Sequence, residues 1–374
     1  MSVDDARLIL ERAIAARVFP AAAFQVGPGG GFIASDVLGT LTFEPGAEPA
    51  THDTIFDLAS LTKPIATTTI AMALVRAGAL TLDAHVADYF EEWRGFDRER
   101  VTVRDLLEHA AGLPARLVDQ PPHTRREFEH EICRIALEYE PRTQSIYSDL
   151  GFLLLGFLLE RLGHAPLTEL FERLTRSDAI RLQPAPNPVG VPAPPNPFDF
   201  DVDEVLTFGL IADEHRSAAP TLPVKEDPRY GRVLRGEVHD NYAAALGGAA
   251  GHAGLFATAS GVSAFARALL RTLRGDADVP PPFSQALLRG FLAKSTVPGS
   301  SRALGWDTML PTSSCGTRMS PSAFGHVGFT GTSLWIDPAR DLYFVLLTNR
   351  VLGGGTLDQM RTVRRAFHDA LGDV

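Results

Sequence analysis

The chain has 374 residues, 45% of them hydrophobic and 21% charged, with a formal net charge of −10. That is the composition of a globular protein, long enough for a large core and two subdomains. The acidic balance argues against nucleic acid or an anionic membrane surface as the main partner.

In chain order, residues 3–17 space Leu8, Leu10, Ala13 and Ile14, with Val18 following, for one helical face, and Pro20 ends the helix. The opening residues carry early acids and no uninterrupted apolar run, so they do not read as a secretory signal; a soluble, cytoplasmic protein is expected. AAAFQV and FIASDVLGTL read as strands about the turn Gly27–Gly31. No GK[ST] follows those glycines, so they serve a hairpin and not a phosphate.

FDLASLTKPIATTTIAMALVRAGAL reads as a helix ending near Gly78. Near its start Ser60 is followed three residues later by Lys63, which puts both on one face. A serine hydroxyl needs a base beside it to act as a nucleophile. Burial can lower a lysine pKa until it accepts that proton, and N–H groups at a helix start point at a developing oxyanion. The plainer reading is a surface lysine on an amphipathic helix. Only three lysines occur in the chain, at 63, 225 and 294.

LTLDAHVADYF and VTVRDLLEHAAGLP follow; Thr102 or Asp105 caps a helix over 103–110 and Gly112 stops it. A charged helix over 124–140 leads to Tyr147-Ser148-Asp149 and the apolar run LGFLLLGFLL, which is too short to span a bilayer and reads as a buried helix with Ser148 or Asp149 as N-cap. LTELFERLTRS is amphipathic. Residues 184–200 are proline-rich, so they form neither regular helix nor central strand, and are expected to run extended over the surface. A glycine-rich turn region in GEVHDNYAAALGGAAGHAGLF precedes a helix capped near Ser260; Pro280–Pro282 break the chain ahead of a helix at 284–293. ALGWDTML, FGHVGFTGTSLWIDP and DLYFVLLTNRV are strand-like, with a turn at Asp337–Asp341. The last helix, 356–371, carries Leu357, Met360, Val363, Phe367 and Leu371 on one face. Strands at both ends with helices between predict an α+β (or α/β) chain: one sheet built from both termini and flanked by helices, with a mostly helical subdomain inserted.

Two further stretches bear on Ser60. A tyrosine phenol titrates at about 10 unless a cation lowers it. Beside Lys63, Tyr147 would act as general base on Ser60 or relay a proton to the leaving group; alone, it fits equally a core aromatic with a satisfied hydroxyl. In His326-Val327-Gly328, a glycine on an edge strand lets a substrate backbone approach. The N–H of Phe329 would form the second half of an oxyanion hole with that of Ser60, and His326 would donate to a carboxylate or hydroxyl of the ligand. The bland alternative is a strand-end histidine and a bulge glycine. His252, in Gly251-His252-Ala253-Gly254, either reaches the site from the glycine-rich loop or stabilises that loop, and the second reading is preferred for it as for Asp240 and Asn241. Cys133 and Cys315 are read as free, buried thiols. No GxSxG elbow, no GxGxxG after a strand and no zinc-spaced cluster occurs, so no metal and no cofactor are expected.

The order Ser-x-x-Lys, Tyr-Ser-Asp, His-x-Gly resembles the serine beta-lactamase and penicillin-binding protein superfamily, most of all its class C branch with the D,D-peptidase and esterase relatives. FDLASLTKPIATT, LTLDAHVADYF, VTVRDLLEHAAGLP, YSDLGFLLLG, VHDNYAAALGGAAGHAGLF and GHVGFTGTSLWIDP carry the likeness across nearly the whole chain. The resemblance implies one beta-lactamase/transpeptidase-like unit over 1–374. Its antiparallel-sheet subdomain would take 1–58 plus 300–374, and its helical subdomain 59–299 with the proline-rich excursion 184–224. It implies Ser60 as acyl-forming nucleophile, Lys63 as proton acceptor or electrostatic partner, and Tyr147 as base for attack and deacylation; Asp149, His326 and Gly328 would line the substrate site. Two positions depart from the class C pattern. Asp149 stands where asparagine is common, and as a carboxylate it would hold Lys63 charged and shift base duty to Tyr147. His326 stands where a Lys-Thr-Gly lysine is common and is a weaker anchor for a substrate carboxylate. The expected function is a serine hydrolase forming an acyl-enzyme with a small ester, amide or short peptide, with esters or amides favoured over efficient beta-lactam hydrolysis. The alternative is a non-catalytic penicillin-binding-like module.

Overall fold

Alternation of apolar side chains on both faces of its strands organises the central sheet. The computed structural model describes residues 2–117, 122–175, 204–210, 214–276 and 284–372. Their strands are β1 (Ala21–Pro28), β2 (Ala34–Gly39), β3 (Phe56–Asp57), β4 (Leu206–Phe208), β5 (Leu255–Ala257), β6 (Asp307–Thr308), β7 (Phe324–Val327), β8 (Ser333–Asp337) and β9 (Leu342–Thr348). Their helices are α1 (Val3–Ala15), α2 (Thr69–Arg76), α3 (Val103–Leu107), α4 (Arg125–Arg134), α5 (Asp149–Gly163), α6 (Leu167–Thr175), α7 (Asn241–Ala245), α8 (Ala259–Arg274), α9 (Gln285–Leu292) and α10 (Leu357–Ala370).

The main sheet runs β2-β1-β9-β8-β7-β6 with antiparallel neighbours throughout, so both ends of the chain build it, as the sequence predicts. Ala22, Phe24, Val26, Trp335, Phe344 and Leu346 face α1 and α10. Ala21, Ala23, Leu334, Ile336, Val345 and Leu347 face the larger core. Period two on a sheet covered on both sides gives this split, and each fully buried Leu, Val or Phe contributes about 1.5–3 kcal/mol. The helix α8, from the middle of the chain, packs on β1 and β9. A small second sheet, β3-β5-β4, sits beside Ser60.

Several boundaries differ from the sequence reading, and the differences shape the site. Thr102 caps α3 while Asp105 bonds back to the Thr102 N–H, so both candidates act, in one capping box. The helix ends at Leu107, before Gly112, because His109 takes φ +56 and turns the chain. Helix α4 stops at Arg134 and not near 140, since Ile135 is extended. The released segment lies along the 109–115 stretch, with Glu138 N donating to Gly112 O (2.8 Å), Ile146 N to His109 O (3.0 Å) and Asp149 N to Ala115 O (3.0 Å). This track delivers Tyr147 to the site. Ser148, not Asp149, caps α5, its Oγ accepting from Gly151 N. Most of α5 is buried in the core, and no single helix among the described residues is long and apolar enough to cross a membrane. Thr258, not Ser260, caps α8, and Ser284 caps α9. The stretch 324–338 is two strands, not one, folded about a tight turn at 328–332 with Gly331 at φ +109. On α10, Leu357 is 55% exposed, while Arg364 and His368 join Met360 and Phe367 on the buried side. The proline-rich 184–200 stretch and Pro280–Pro282 lie outside the described residues.

Candidate active site

The sequence reading of a regular helix from Ser60 needs correction. Residues 59–61 form a 3-10 turn, 63–68 a π-type turn, and regular helix begins only at Thr69. Pro64 brings no N–H to an α ladder, and Thr68 Oγ1 donates to the Lys63 carbonyl at 2.9 Å. Ala59 is held at φ +49, a conformation that costs a non-glycine residue about 1–3 kcal/mol. Asp57 holds it there: its carboxylate accepts from Ala59 N (2.8 Å) and from His239 N (2.6 Å). Burial pushes the Asp57 carboxyl up to about 6. Thr62 Oγ1 closes the turn by donating to Ala59 O at 2.6 Å. Ser60 is therefore presented by a strained, tethered loop.

Two groups converge on the Ser60 hydroxyl. Lys63 Nζ lies 3.0 Å from Ser60 Oγ and 2.6 Å from Tyr147 Oη, and Tyr147 Oη lies 2.6 Å from Ser60 Oγ. The fully buried Lys63 ammonium also donates to Asp149 Oδ1 (2.8 Å) and to the His252 carbonyl (3.2 Å). His252 reaches this carbonyl position because Gly251 packs so closely on α5 that a Cβ there would collide with the Phe152 carbonyl. Burial pulls the Lys63 pKa down, but the Asp149 carboxylate and then Tyr147 overcome it, and the net shift is upward. Burial also raises the Tyr147 phenol, against the opposing pull of Lys63. Asp149 lies below the ordinary carboxylate range: burial opposes ionisation, but Lys63, His252 and Arg116 outweigh it. The resting site is an ammonium, a neutral phenol and a carboxylate. A base appears when the Lys63–Tyr147 pair, which titrates as a unit, loses one proton.

Sequence reasoning missed what stands behind Asp149. Arg116 Nη1 bridges Asp149 Oδ2 and Asp240 Oδ2, each at 2.9 Å, and its Nη2 donates to Asn241 Oδ1 at 2.6 Å. Asp240 caps α7 and accepts from His252 Nε2 at 2.7 Å. Asp240 is held well below its usual pKa: burial opposes this, but His252 and then Arg116 prevail. Charges thus alternate from Lys63 through Asp149 and Arg116 to Asp240. Asp149, Asp240 and His252 have metal-like spacing, but the Arg116 guanidinium bonds both carboxylates. No sequence spacing links Arg116 to this network. His109 and Arg302 were missed as well. The His109 ring lies 4.8 Å from that of Tyr147, and the Arg302 guanidinium sits 5.5 Å from the Tyr147 centroid.

His326 and Gly328 are beside the site, with roles the sequence did not predict. The His326 ring, 6.0 Å from that of Tyr147, directs Nδ1 at the Val327 carbonyl (2.9 Å), so Nδ1 carries the proton. Burial, then Arg302 and Lys63, hold its pKa well below the ordinary value, so the ring is neutral. Its Nε2, buried with no partner among the described residues, is an acceptor and not the donor expected. A Cβ on Gly328 would collide with Thr332 Oγ1 and the Leu58 carbonyl. That glycine lets the strand end meet the Ser60 turn. Thr332 Oγ1 and Thr330 Oγ1 complete the junction by donating to Leu58 O (3.0 Å) and Asp57 O (2.7 Å). Phe329 follows directly, its side chain 42% exposed at the mouth.

A family model described as Beta-lactamase matches residues 7–368. The N-acetylmuramyl-L-alanine amidase of Bacillus subtilis (strain 168) is 30% identical, over 91% of this chain and 79% of its own length. A putative D-alanyl-D-alanine carboxypeptidase of Escherichia coli (strain K12) is 29% identical, over 80% of this chain and 70% of its own. Among solved structures, a class C beta lactamase from Rhodobacter sphaeroides shares the fold with a TM-score of 0.71 at 20% identity, covering 99% of both chains.

Proposed function

This chain belongs to the beta-lactamase family and is a serine hydrolase working through an acyl-enzyme, and we propose that Ser60, Lys63 and Tyr147 carry that chemistry on a small ester, amide or short peptide. The observation that carries the assignment is the closed triangle of Ser60 Oγ, Lys63 Nζ and Tyr147 Oη, with every edge at 3.0 Å or less.

Once the Lys63–Tyr147 pair has lost a proton, Tyr147 Oη takes the hydroxyl proton as Ser60 Oγ attacks the carbonyl. The N–H groups of Ser60 and Phe329 receive the oxyanion. Tyr147 returns the proton to the leaving oxygen or nitrogen, and the bond to the leaving group breaks. Water then attacks the acyl carbonyl with Tyr147 again as base, which frees the acid and restores Ser60. Lys63, held charged by Asp149, keeps the phenolate form of Tyr147 accessible. The relatives named as an amidase and a carboxypeptidase support amide bonds as substrates. The neutral His326 supplies no cation for a substrate carboxylate, which favours uncharged esters over beta-lactams. A binding module without turnover has no use for a tyrosine held against both serine and lysine.

A fluorophosphonate probe should label the protein and fail to label Ser60→Ala; an unlabelled wild type would overturn the hydrolase assignment. p-Nitrophenyl butyrate should turn over faster than nitrocefin, and the reverse ranking would overturn the preference for esters.

A further inference from the structure

Two buried arginines stand behind the turn at 328–332, and neither pairs with a carboxylate among the described residues. Arg364, on α10, and Arg350 are each only 6% exposed. Arg364 Nη2 donates to Gly328 O (2.7 Å) and Thr332 O (2.8 Å), while its Nε has no partner. Arg350 donates through its guanidinium to Phe329 O and Gly355 O, and through its backbone N–H to Thr330 O (2.8 Å). A buried charge without a counter-charge is expensive, by several kcal/mol in ordinary cases. Contacts to three carbonyls of one short turn, at Gly328, Phe329 and Thr332, are what these two side chains obtain in return.

The geometry of the peptide unit says why that matters. In a trans peptide the C=O and the next N–H point in opposite directions. The Gly328 carbonyl is held by Arg364 and by the Gly331 N–H (3.1 Å). The N–H of the same peptide belongs to Phe329. Arg364 approaches from the α10 face of the sheet, whereas Leu58 and Leu61, either side of Ser60, belong to the core on the other face. Fixing the Gly328 carbonyl toward α10 therefore aims the Phe329 N–H toward Ser60.

We propose that Arg364 is a positioning residue for the oxyanion hole: it orients and polarises the Gly328–Phe329 peptide, and its unneutralised charge backs the negative oxygen that forms during acyl transfer. The proposal rests on the assignment of the Phe329 N–H as an oxyanion donor. Burial, then Arg350 and Arg361, lower the Arg364 pKa to about 9, which leaves it charged at neutral pH. Because the oxygen becomes negative only in the transition state, this support acts on kcat and spares KM.

Arg364→Gln keeps a hydrogen-bond donor and removes the charge; Arg364→Lys keeps the charge and loses the fork. Each is assayed with p-nitrophenyl butyrate and with phenylboronic acid, whose tetrahedral adduct with Ser60 places an oxygen at the oxyanion position. Removing an oxyanion donor itself costs roughly 10²–10³-fold, so Arg364→Gln should lose about 10–100-fold in kcat. KM should stay within about twofold and phenylboronate binding weaken by a matching factor, with partial recovery in Arg364→Lys. A folded Arg364→Gln with wild-type kcat and boronate affinity, or a loss in kcat with none in boronate binding, overturns the proposal. Should Arg364→Gln fail to fold, Arg364→Lys decides: a matched loss supports it and wild-type values on both readouts overturn it. Wild type that binds no boronate, or Ser60→Ala that binds it equally, overturns the parent assignment and this proposal with it.

Discussion

Replacing Asp149 with asparagine separates the electrostatic role of that carboxylate from its shape. Asp149 Oδ1 lies 2.8 Å from the buried Lys63 ammonium. At an effective dielectric of about 20, unit charges at that separation interact by roughly 6 kcal/mol. The carboxylate charge is shared over two oxygens and one is engaged by Arg116, so roughly half of that, about 3 kcal/mol, acts on Lys63. The sign is unambiguous. A carboxylate stabilises the ammonium and raises the pKa of the Lys63–Tyr147 pair, and the amide removes that stabilisation. The base form then appears at lower pH. The other charged or titratable groups near the pair, Arg116, Asp240, His252, Arg302, His109 and His326, are left in place. For Asp149→Asn, the ascending limb of kcat/KM for p-nitrophenyl butyrate, followed from pH 5 to 11, should move to lower pH, because less alkali is needed to free the base. A limb that stays in place or moves upward would refute the reasoning, because Lys63 would then owe its charge to something other than Asp149.

Gly328→Ala drives a Cβ into Thr332 Oγ1 and the Leu58 carbonyl; urea unfolding should show a loss of about 1–3 kcal/mol, and the displaced turn should cost kcat about 10²-fold. The buried His368, bonded to Ser333 Oγ at 3.0 Å, has its pKa depressed to about 3, by burial first and Arg364 second. A base with a depressed folded pKa contributes stability above its unfolded value that is lost as pH falls, so between pH 7 and 5 this one histidine should cost roughly 2 kcal/mol. His368→Gln should flatten that part of the acid slope in unfolding curves at the two pH values, and an unchanged slope would show that the ring is charged in the folded protein.

Ser60 and Lys63 were legible because the lysine falls within one turn of the serine whatever the turn type, and Tyr147 and Asp149 because they precede a strongly apolar helix. The sheet was legible at both ends because β1, β8 and β9 are buried on two faces and read as continuous apolar runs. The π-type turn was hidden, although Pro64 was its signal: a residue without an N–H cannot continue an ordinary ladder. Arg116 is placed by contacts more than a hundred residues away in sequence, at Asp240 and Asn241, and leaves no periodic trace. Arg364 left a faint one. It falls four residues after Met360 and three before Phe367, on the stripe that packs against the sheet, where a charged residue calls for a reason.

The junction of β1 with β9 has a consequence during synthesis. The bond from Ala21 N to Asn349 Oδ1, just past that junction, joins residues 328 positions apart. At roughly 5–20 residues per second, the N-terminal hairpin leaves the ribosome about 15–65 s before its central partner exists. Through that interval β1 has one open edge and two apolar faces, the condition that invites pairing with another nascent chain. The same delay leaves the proposed oxyanion hole incomplete, since Gly328 and Phe329 emerge only 14 and 13 residues ahead of Leu342, where β9 begins. Hydrolytic capacity and protection of the exposed edge are acquired together, once β9 has emerged.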